Sequence, residues 1–139
     1  LEKDILKNEN SVCFLSLQAC NLPEIYMAFG VEYGDRLQRG IASTLSKTLP
    51  SPKYIFKFSD TIYLVILIDQ QQSNALLLKE RLSQAFKKAP FFIDGQAIQL
   101  NTSLGMSCFP DHGKTLSKLI GTSLSKVALK TNFKTITSP

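Results

Sequence analysis

Lys53-Tyr-Ile-Phe-Lys-Phe-Ser-Asp-Thr-Ile-Tyr-Leu-Val-Ile-Leu-Ile68 is the stretch that decides the fold. Two runs rich in aromatic and β-branched residues flank the polar pair Ser59-Asp60. A polar pair between such runs predicts a β-hairpin. The second run, from Ile62 to Ile68, is almost wholly apolar, which predicts a strand buried on both faces.

Working outward toward the N-terminus, Ser11-Val-Cys-Phe-Leu-Ser-Leu17 reads as a first strand. Asn21 is expected to cap a helix with Pro23 just inside it, running from Leu22 to Phe29 and stopping at Gly30. Gly34-Asp35 is expected to open the next helix. On that helix Leu37, Ile41 and Leu45 share one face and Arg36, Arg39 and Lys47 take the others, until Pro50-Ser51-Pro52 ends it.

Toward the C-terminus, a polar loop leads into a helix over residues 73–88, with Leu78, Leu82 and Phe86 on one stripe. Asp94-Gly95 signals a second hairpin, and a strand starts near Ser103. Leu116, Leu119, Ile120, Leu124 and Val127 mark a last helix, and residues 135–137 a short final strand. The order β-α-α-β-β-α-β-β-α-β predicts an α+β fold, a ferredoxin-like or palm-like sheet with helices packed against it. Val65, Ile66, Leu67, Leu82, Leu104 and Leu119 are its expected core. Residues 1–10 read as a linker or N-terminal helix, and residues 11–139 as the single domain.

Composition narrows the function classes. With 44% hydrophobic and 19% charged residues, the 139-residue chain can build a real core and is neither disordered nor membrane-spanning. It begins at Leu1 with a charged, amphipathic stretch and no signal peptide, so it reads as a cytoplasmic piece of a longer protein. Cys13, Cys20 and Cys108 are an odd set without Cys-x-x-Cys spacing. The expectation is reduced thiols, with Cys13 and Cys108 acting as small core residues. His112, in a Pro-Asp-His-Gly loop beside Asp111, reads as a turn residue.

Three stretches together resemble the GGDEF domain family, whose members make cyclic di-GMP from GTP. Phe29-Gly30 and Gly34-Asp35 match the family's Gly-His-x-x-Gly-Asp block, with Val31 where His is usual. Ser103-Leu-Gly-Met-Ser-Cys-Phe-Pro-Asp-His-Gly113 matches its Ser-Ile-Gly-x-x-x-x-Pro-x-x-Gly block. The central hairpin lies at family distance from both. Its tip, Ser59-Asp60-Thr61-Ile62-Tyr63, occupies the place of Gly-Gly-Asp/Glu-Glu-Phe. The resemblance covers nearly the whole chain and implies a nucleotidyl-cyclase sheet.

The same resemblance shows what this chain lacks. Joining two GTP molecules requires divalent ions to organise the phosphates, and such ions need carboxylates. Where the family has an Asp at the end of the first strand and an acid third in the motif, this chain has Gln18 and Thr61, with Ile62 in place of Glu. Asp60 is shifted one place, and the alternation of strand side chains turns it elsewhere. Ser59 and Asp60 also replace the glycines that let backbone approach the nucleotide. Tyr26 stands where an Asn reads the guanine edge and cannot offer the same donor and acceptor pair. Asp35 survives at the second guanine-reading position, although a carboxylate near a helix start is favourable without any ligand. Lys130 and Lys134 fall where the family holds the triphosphate, and lysines near a helix end are likewise favourable on their own. Pro50 and Lys53 replace the family's Arg-x-x-Asp feedback site for cyclic di-GMP.

The reading is therefore a catalytically inactive, degenerate GGDEF domain acting as a regulatory or interaction module of a bacterial cyclic di-GMP signalling protein, of the kind found beside EAL domains. It implies no cofactor and no metal. The expected partner is a neighbouring EAL domain or a separate protein, with dimerisation a further option. The contact zones would be residues 1–7 and the hairpin tip. The alternative is a divergent diguanylate cyclase or GTP-binding domain with residual nucleotide affinity. A third class, single-stranded RNA binding, suits a basic ferredoxin-like sheet with Tyr54, Phe56, Phe58 and Tyr63. The signature strand of RNA-recognition sheets is absent, so neither a nucleic acid nor a membrane contact is expected.

Overall fold

The computed structural model of the chain describes residues 11–109, 118 and 120–125. Strand β1 (Val12–Ala19) leads into two consecutive helices, α1 (Leu22–Phe29) and α2 (Val31–Thr48). The hairpin β2 (Lys53–Lys57) and β3 (Ile62–Ile68) follows, then α3 (Gln72–Lys88), a small hairpin of β4 (Phe91–Ile93) and β5 (Gln96–Ile98), and β6 (Thr102–Phe109). Residues 120–125 are helical. The main sheet has the order β2-β3-β1-β6 with every neighbouring pair antiparallel, while β4 and β5 pair only with each other. This is the ferredoxin-like arrangement read from the sequence, with the central hairpin forming one edge.

Side-chain alternation divides the core between two layers. Cys13, Leu15, Leu17 and Ala19 of β1 join Tyr63, Val65 and Leu67 of β3 and Leu104 and Met106 of β6 under the helices. There they meet Leu37, Ile41 and Leu45 of α2 and Leu78, Leu82 and Phe86 of α3. Each fully buried leucine contributes roughly 1.5–3 kcal/mol. The opposite face carries Val12, Phe14 and Ile66, packed with Ile68, Phe109 and Ile120. On that face the Ser16 and Ser123 hydroxyls share a buried hydrogen bond of 2.6 Å, joining the sheet to the helical residues 120–125. Val65, Ile66, Leu67, Leu82 and Leu104 are buried as expected.

The turn at Asp94-Gly95 has positive φ at both residues, 52° and 79°. That geometry is the one an Asp-Gly hairpin adopts. The small hairpin then docks on α2. The Phe91 ring lies where a Cβ on Gly40 would be, at 2.8 Å, and the Tyr33 hydroxyl donates to the Ile93 carbonyl at 3.0 Å.

The structure corrects several local expectations. Helix α2 starts at Val31 instead of Gly34-Asp35, because Gly30 serves both helices. Its N–H donates to the Tyr26 carbonyl (2.9 Å) to end α1, and its carbonyl accepts from the Gly34 N–H (3.1 Å) to begin α2. Its φ of 94° is a conformation that costs glycine little. Asn21 makes no side-chain cap on α1. Its amide bridges instead to the segment between β5 and β6, donating to the Gln99 carbonyl (2.9 Å) and accepting from the Asn101 N–H (2.8 Å). Cys13 and Cys108, expected to be separate thiols, are joined as a disulfide, because the β1–β6 register sets them directly opposite one another. Cys20 is free. The hairpin strands stop at Lys57 and Ile62, so the tip is a four-residue loop, wider than the Ser59-Asp60 pair alone. Leu119, Asp111, His112, Lys130, Lys134, residues 1–7 and residues 135–137 lie outside the described residues.

Candidate functional site

The end of the sheet at which β1 finishes and the central hairpin turns carries the hairpin motif and, close by, Tyr26 and Asp35. The Ala19 N–H donates to the Thr61 carbonyl at 2.8 Å. In the same register Gln18 faces Ile62 on one side and Ser103 on the other. The Thr61 backbone thus lies beside the end of β1, one residue from Gln18. The alternation of side chains sends Gln18 and Thr61 to opposite faces, and of the two only Thr61 borders the neighbouring cavity. The exposed tip is held by hydrogen bonds to the Ile62 carbonyl from the N–H groups of Phe58 (2.8 Å) and Ser59 (3.2 Å).

Beside this end lies an open cavity of about 400 Å³, with Leu22, Pro23 and Tyr26 of α1, Asp35 and Gln38 of α2, and Lys57, Asp60 and Thr61 of the hairpin around it. Asp60, expected to be turned elsewhere by strand alternation, lies in the turn between the strands and borders the cavity with Thr61. Its back wall is a directed hydrogen-bond chain. The Tyr63 hydroxyl donates to Gln38 Oε1, Gln38 Nε2 donates to the Tyr26 hydroxyl at 3.0 Å, and that hydroxyl donates to Asp35 Oδ1 at 2.7 Å. The Tyr26 proton is thus committed to a carboxylate, and one of its acceptor positions is taken. The Tyr26 ring lies flat across Gly34, so close that a Cβ there would stand 2.4 Å from the ring.

Electrostatics follow the geometry. Burial holds the Tyr26 phenol above its ordinary value, aided by the hydrogen bond to Asp35 and the charges of Asp35 and Asp60 and opposed by the Gln38 bond. Tyr63 is pushed up to about 12, first by burial and then by Tyr26. Both phenols therefore stay neutral at physiological pH. Asp35 is the fifth residue of α2, past the exposed N–H groups of the first turn, and its observed partner is Tyr26. The helix-start explanation for this carboxylate is corrected on that ground.

Gln38 was not singled out by sequence reasoning, although it connects the two tyrosines. A glutamine on a helix carries no local signal that it will bridge to a strand. Among the described residues no group of three or more His, Cys, Asp or Glu could hold a metal ion. At the sheet end, the amide of Gln18 and the hydroxyl of Thr61 do not supply the negative charge that repays dehydrating a divalent ion.

The diguanylate cyclase GGDEF domain family model matches residues 1–128. The chain belongs to that family. The GGDEF domain is 26% identical over 110 residues, 79% of its length, to the cyclic di-GMP phosphodiesterase NbdA of Pseudomonas aeruginosa. That match spans only 14% of NbdA. Among solved structures, the fold is similar to the GGDEF domain of YfiN from Pseudomonas aeruginosa, with a TM-score of 0.84 at 18% identity over 93% of this chain and 81% of that one. It is also similar to the GGDEF domain of FimX from the same organism, with a TM-score of 0.83 at 12% identity over 93% and 80% of the two chains. No helix among the described residues is long and apolar enough to cross a membrane.

Proposed function

We propose that this GGDEF domain is catalytically inactive and serves as a regulatory or interaction module in a cytoplasmic bacterial cyclic di-GMP signalling protein, next to an EAL domain. The observation that carries the reading is the pairing of Ala19 with Thr61. It puts the Thr61 backbone beside the end of β1, one residue from Gln18, and at the two positions that the family resemblance assigns to metal carboxylates neither side chain is charged. The hydrogen-bond chain supports the same reading. Tyr26, in the guanine-reading place, spends its proton on Asp35, so it cannot present a matched donor and acceptor to a base. Ser59, Asp60, Thr61, Ile62 and Tyr63 form the degenerate motif, and the NbdA likeness agrees with a place beside a phosphodiesterase domain.

A second reading rests on the cavity itself. Its volume of about 400 Å³ and the retained Asp35 leave room for residual affinity toward GTP, with Lys130 and Lys134 as vestigial phosphate contacts. Incubating the purified chain with GTP and Mg²⁺ or Mn²⁺, and resolving the products by chromatography, tests the inactive reading, while calorimetric titration with GTP tests the residual affinity. No cyclic di-GMP is expected. Product that appears with the chain and disappears in Gln18→Ala would overturn the inactive reading.

A further inference from the structure

Strand β2 is the outer edge of the sheet, and no strand of the described residues pairs with its free side. Two hydrogen bonds fix how its backbone is turned. Phe58 N–H donates to the Ile62 carbonyl (2.8 Å) and Ile68 N–H to the Pro52 carbonyl (3.1 Å). Hydrogen-bonded positions in an antiparallel pair recur at every second residue. With Tyr54 opposite Ile66 and Phe56 opposite Leu64, the peptide groups of Tyr54 and Phe56 therefore also face β3. Those of Lys53, Ile55 and Lys57 point off the sheet.

The side chains of β2 alternate just as strictly. Tyr54, Phe56 and Phe58 line one face and are 46%, 38% and 52% exposed. The Tyr54 and Phe56 rings stack with centroids 6.4 Å apart. The other face carries Lys53 and Lys57 on either side of Ile55, whose side chain packs on the core. The Lys53 ammonium donates to the Leu49 carbonyl, a contact that leaves its charge in place.

We propose that β2 is a docking edge for an extended segment of a partner protein that alternates apolar and acidic side chains. This rests on the reading of the domain as an interaction module and names the partner's chemistry. An added strand takes up the outward peptide groups of Lys53, Ile55 and Lys57. Its apolar residues extend the aromatic stripe, and its carboxylates lie beside the two lysines. The same lysines argue against a second copy in this place. A two-fold antiparallel pairing centred on Ile55 sets Lys53 of one copy against Lys57 of the other, and like charges directly opposite are destabilising.

The probe is a capped, fluorescein-labelled peptide of alternating valine and glutamate, titrated into the full chain. Binding is read by anisotropy and by slowed amide exchange at Lys53, Ile55 and Lys57. Saturable binding is expected. Each lost hydrogen bond is worth about 1 kcal/mol, so methylating the peptide nitrogens that face β2 weakens binding by about tenfold or more. A valine–lysine peptide binds worse than the glutamate one, and Lys57→Glu narrows or reverses that order. Failure of the valine–glutamate peptide to bind, indifference to N-methylation, or light scattering that shows a second copy on this edge overturns the proposal. The same preparation is assayed with GTP. Absent cyclic di-GMP with absent peptide binding sinks only the docking edge, whereas cyclic di-GMP formation sinks the inactive reading beneath it.

Discussion

Gly34→Ala in this domain should reverse the usual sign of a glycine-to-alanine change in a helix. Within a helix the substitution ordinarily stabilises by about 1 kcal/mol. Here the new methyl would stand 2.4–2.6 Å from three atoms of the Tyr26 ring. The ring has to swing away, and its hydroxyl is the middle member of the bonds to Asp35 and Gln38. Losing two hydrogen bonds costs about 1 kcal/mol each, and lost ring packing adds to that. Set against the helix gain, the net expectation is destabilisation of about 1–2 kcal/mol. For a domain of this size that lowers the midpoint by roughly 3–8 °C. Reversible thermal and urea unfolding followed by circular dichroism measures it. The decisive comparison is the same substitution in a Tyr26→Ala background, where the obstruction is gone and Gly34→Ala should stabilise by about 0.5–1 kcal/mol. If it stabilises equally in both backgrounds, Tyr26 does not lie on Gly34 and the account of the cavity wall is wrong.

Two further outcomes follow from the same structure. Tyr63 is pushed up to about 12 from the ordinary 10.0, so between those values the unfolded chain releases this proton before the folded one. Its contribution to stability is complete below pH 10 and lost as pH rises to about 12, with Tyr26 shifted in the same direction. Ultraviolet titration should show a late-ionising tyrosinate that vanishes in Tyr63→Phe. If every phenolate appears near the ordinary value, the burial argument fails. Finally, alkylating the unfolded, unreduced protein should modify Cys20 alone, and reduction should expose Cys13 and Cys108. Three labelled thiols before reduction would contradict the pairing.

The features legible in the sequence were those written locally. The apolar run of β3, the Leu37–Ile41–Leu45 stripe and the Asp94-Gly95 turn each declare themselves within a few residues, and the structure places them as read. What was not legible depends on distant partners. Asn21 has the chemistry of a helix cap, but the backbone of the β5–β6 connection, at Asn101 80 residues away, competes for its amide and wins. Cys13 and Cys108 meet across 95 residues only because the strand register sets them opposite each other. Gly34 looked like a helix start. In fact it sits inside α2, and its missing Cβ makes space for a ring from the preceding helix. At the candidate site, the positions of Gln18, Thr61 and Tyr26 came from the family resemblance. The role of Gln38 needed coordinates, since its partner Tyr63 lies 25 residues along the chain.

The Ser16–Ser123 hydroxyl pair has a consequence of another kind. Both residues are fully buried, in a layer that holds Val12, Phe14, Ile66 and Ile120 and also the buried Ser107. Aliphatic contacts tolerate sliding, because one methyl serves nearly as well as the next. A hydroxyl does not: if the helical residues 120–125 move by a turn, each oxygen loses this partner, and a buried hydroxyl left unpaired costs about 1–3 kcal/mol. The pair works like a dowel between two smooth boards, adding little to the glue while allowing the helix a single resting place. A matched change of both residues to alanine would therefore test positional uniqueness more than strength. The expected signature is a broadened spectrum of the helix at nearly unchanged stability.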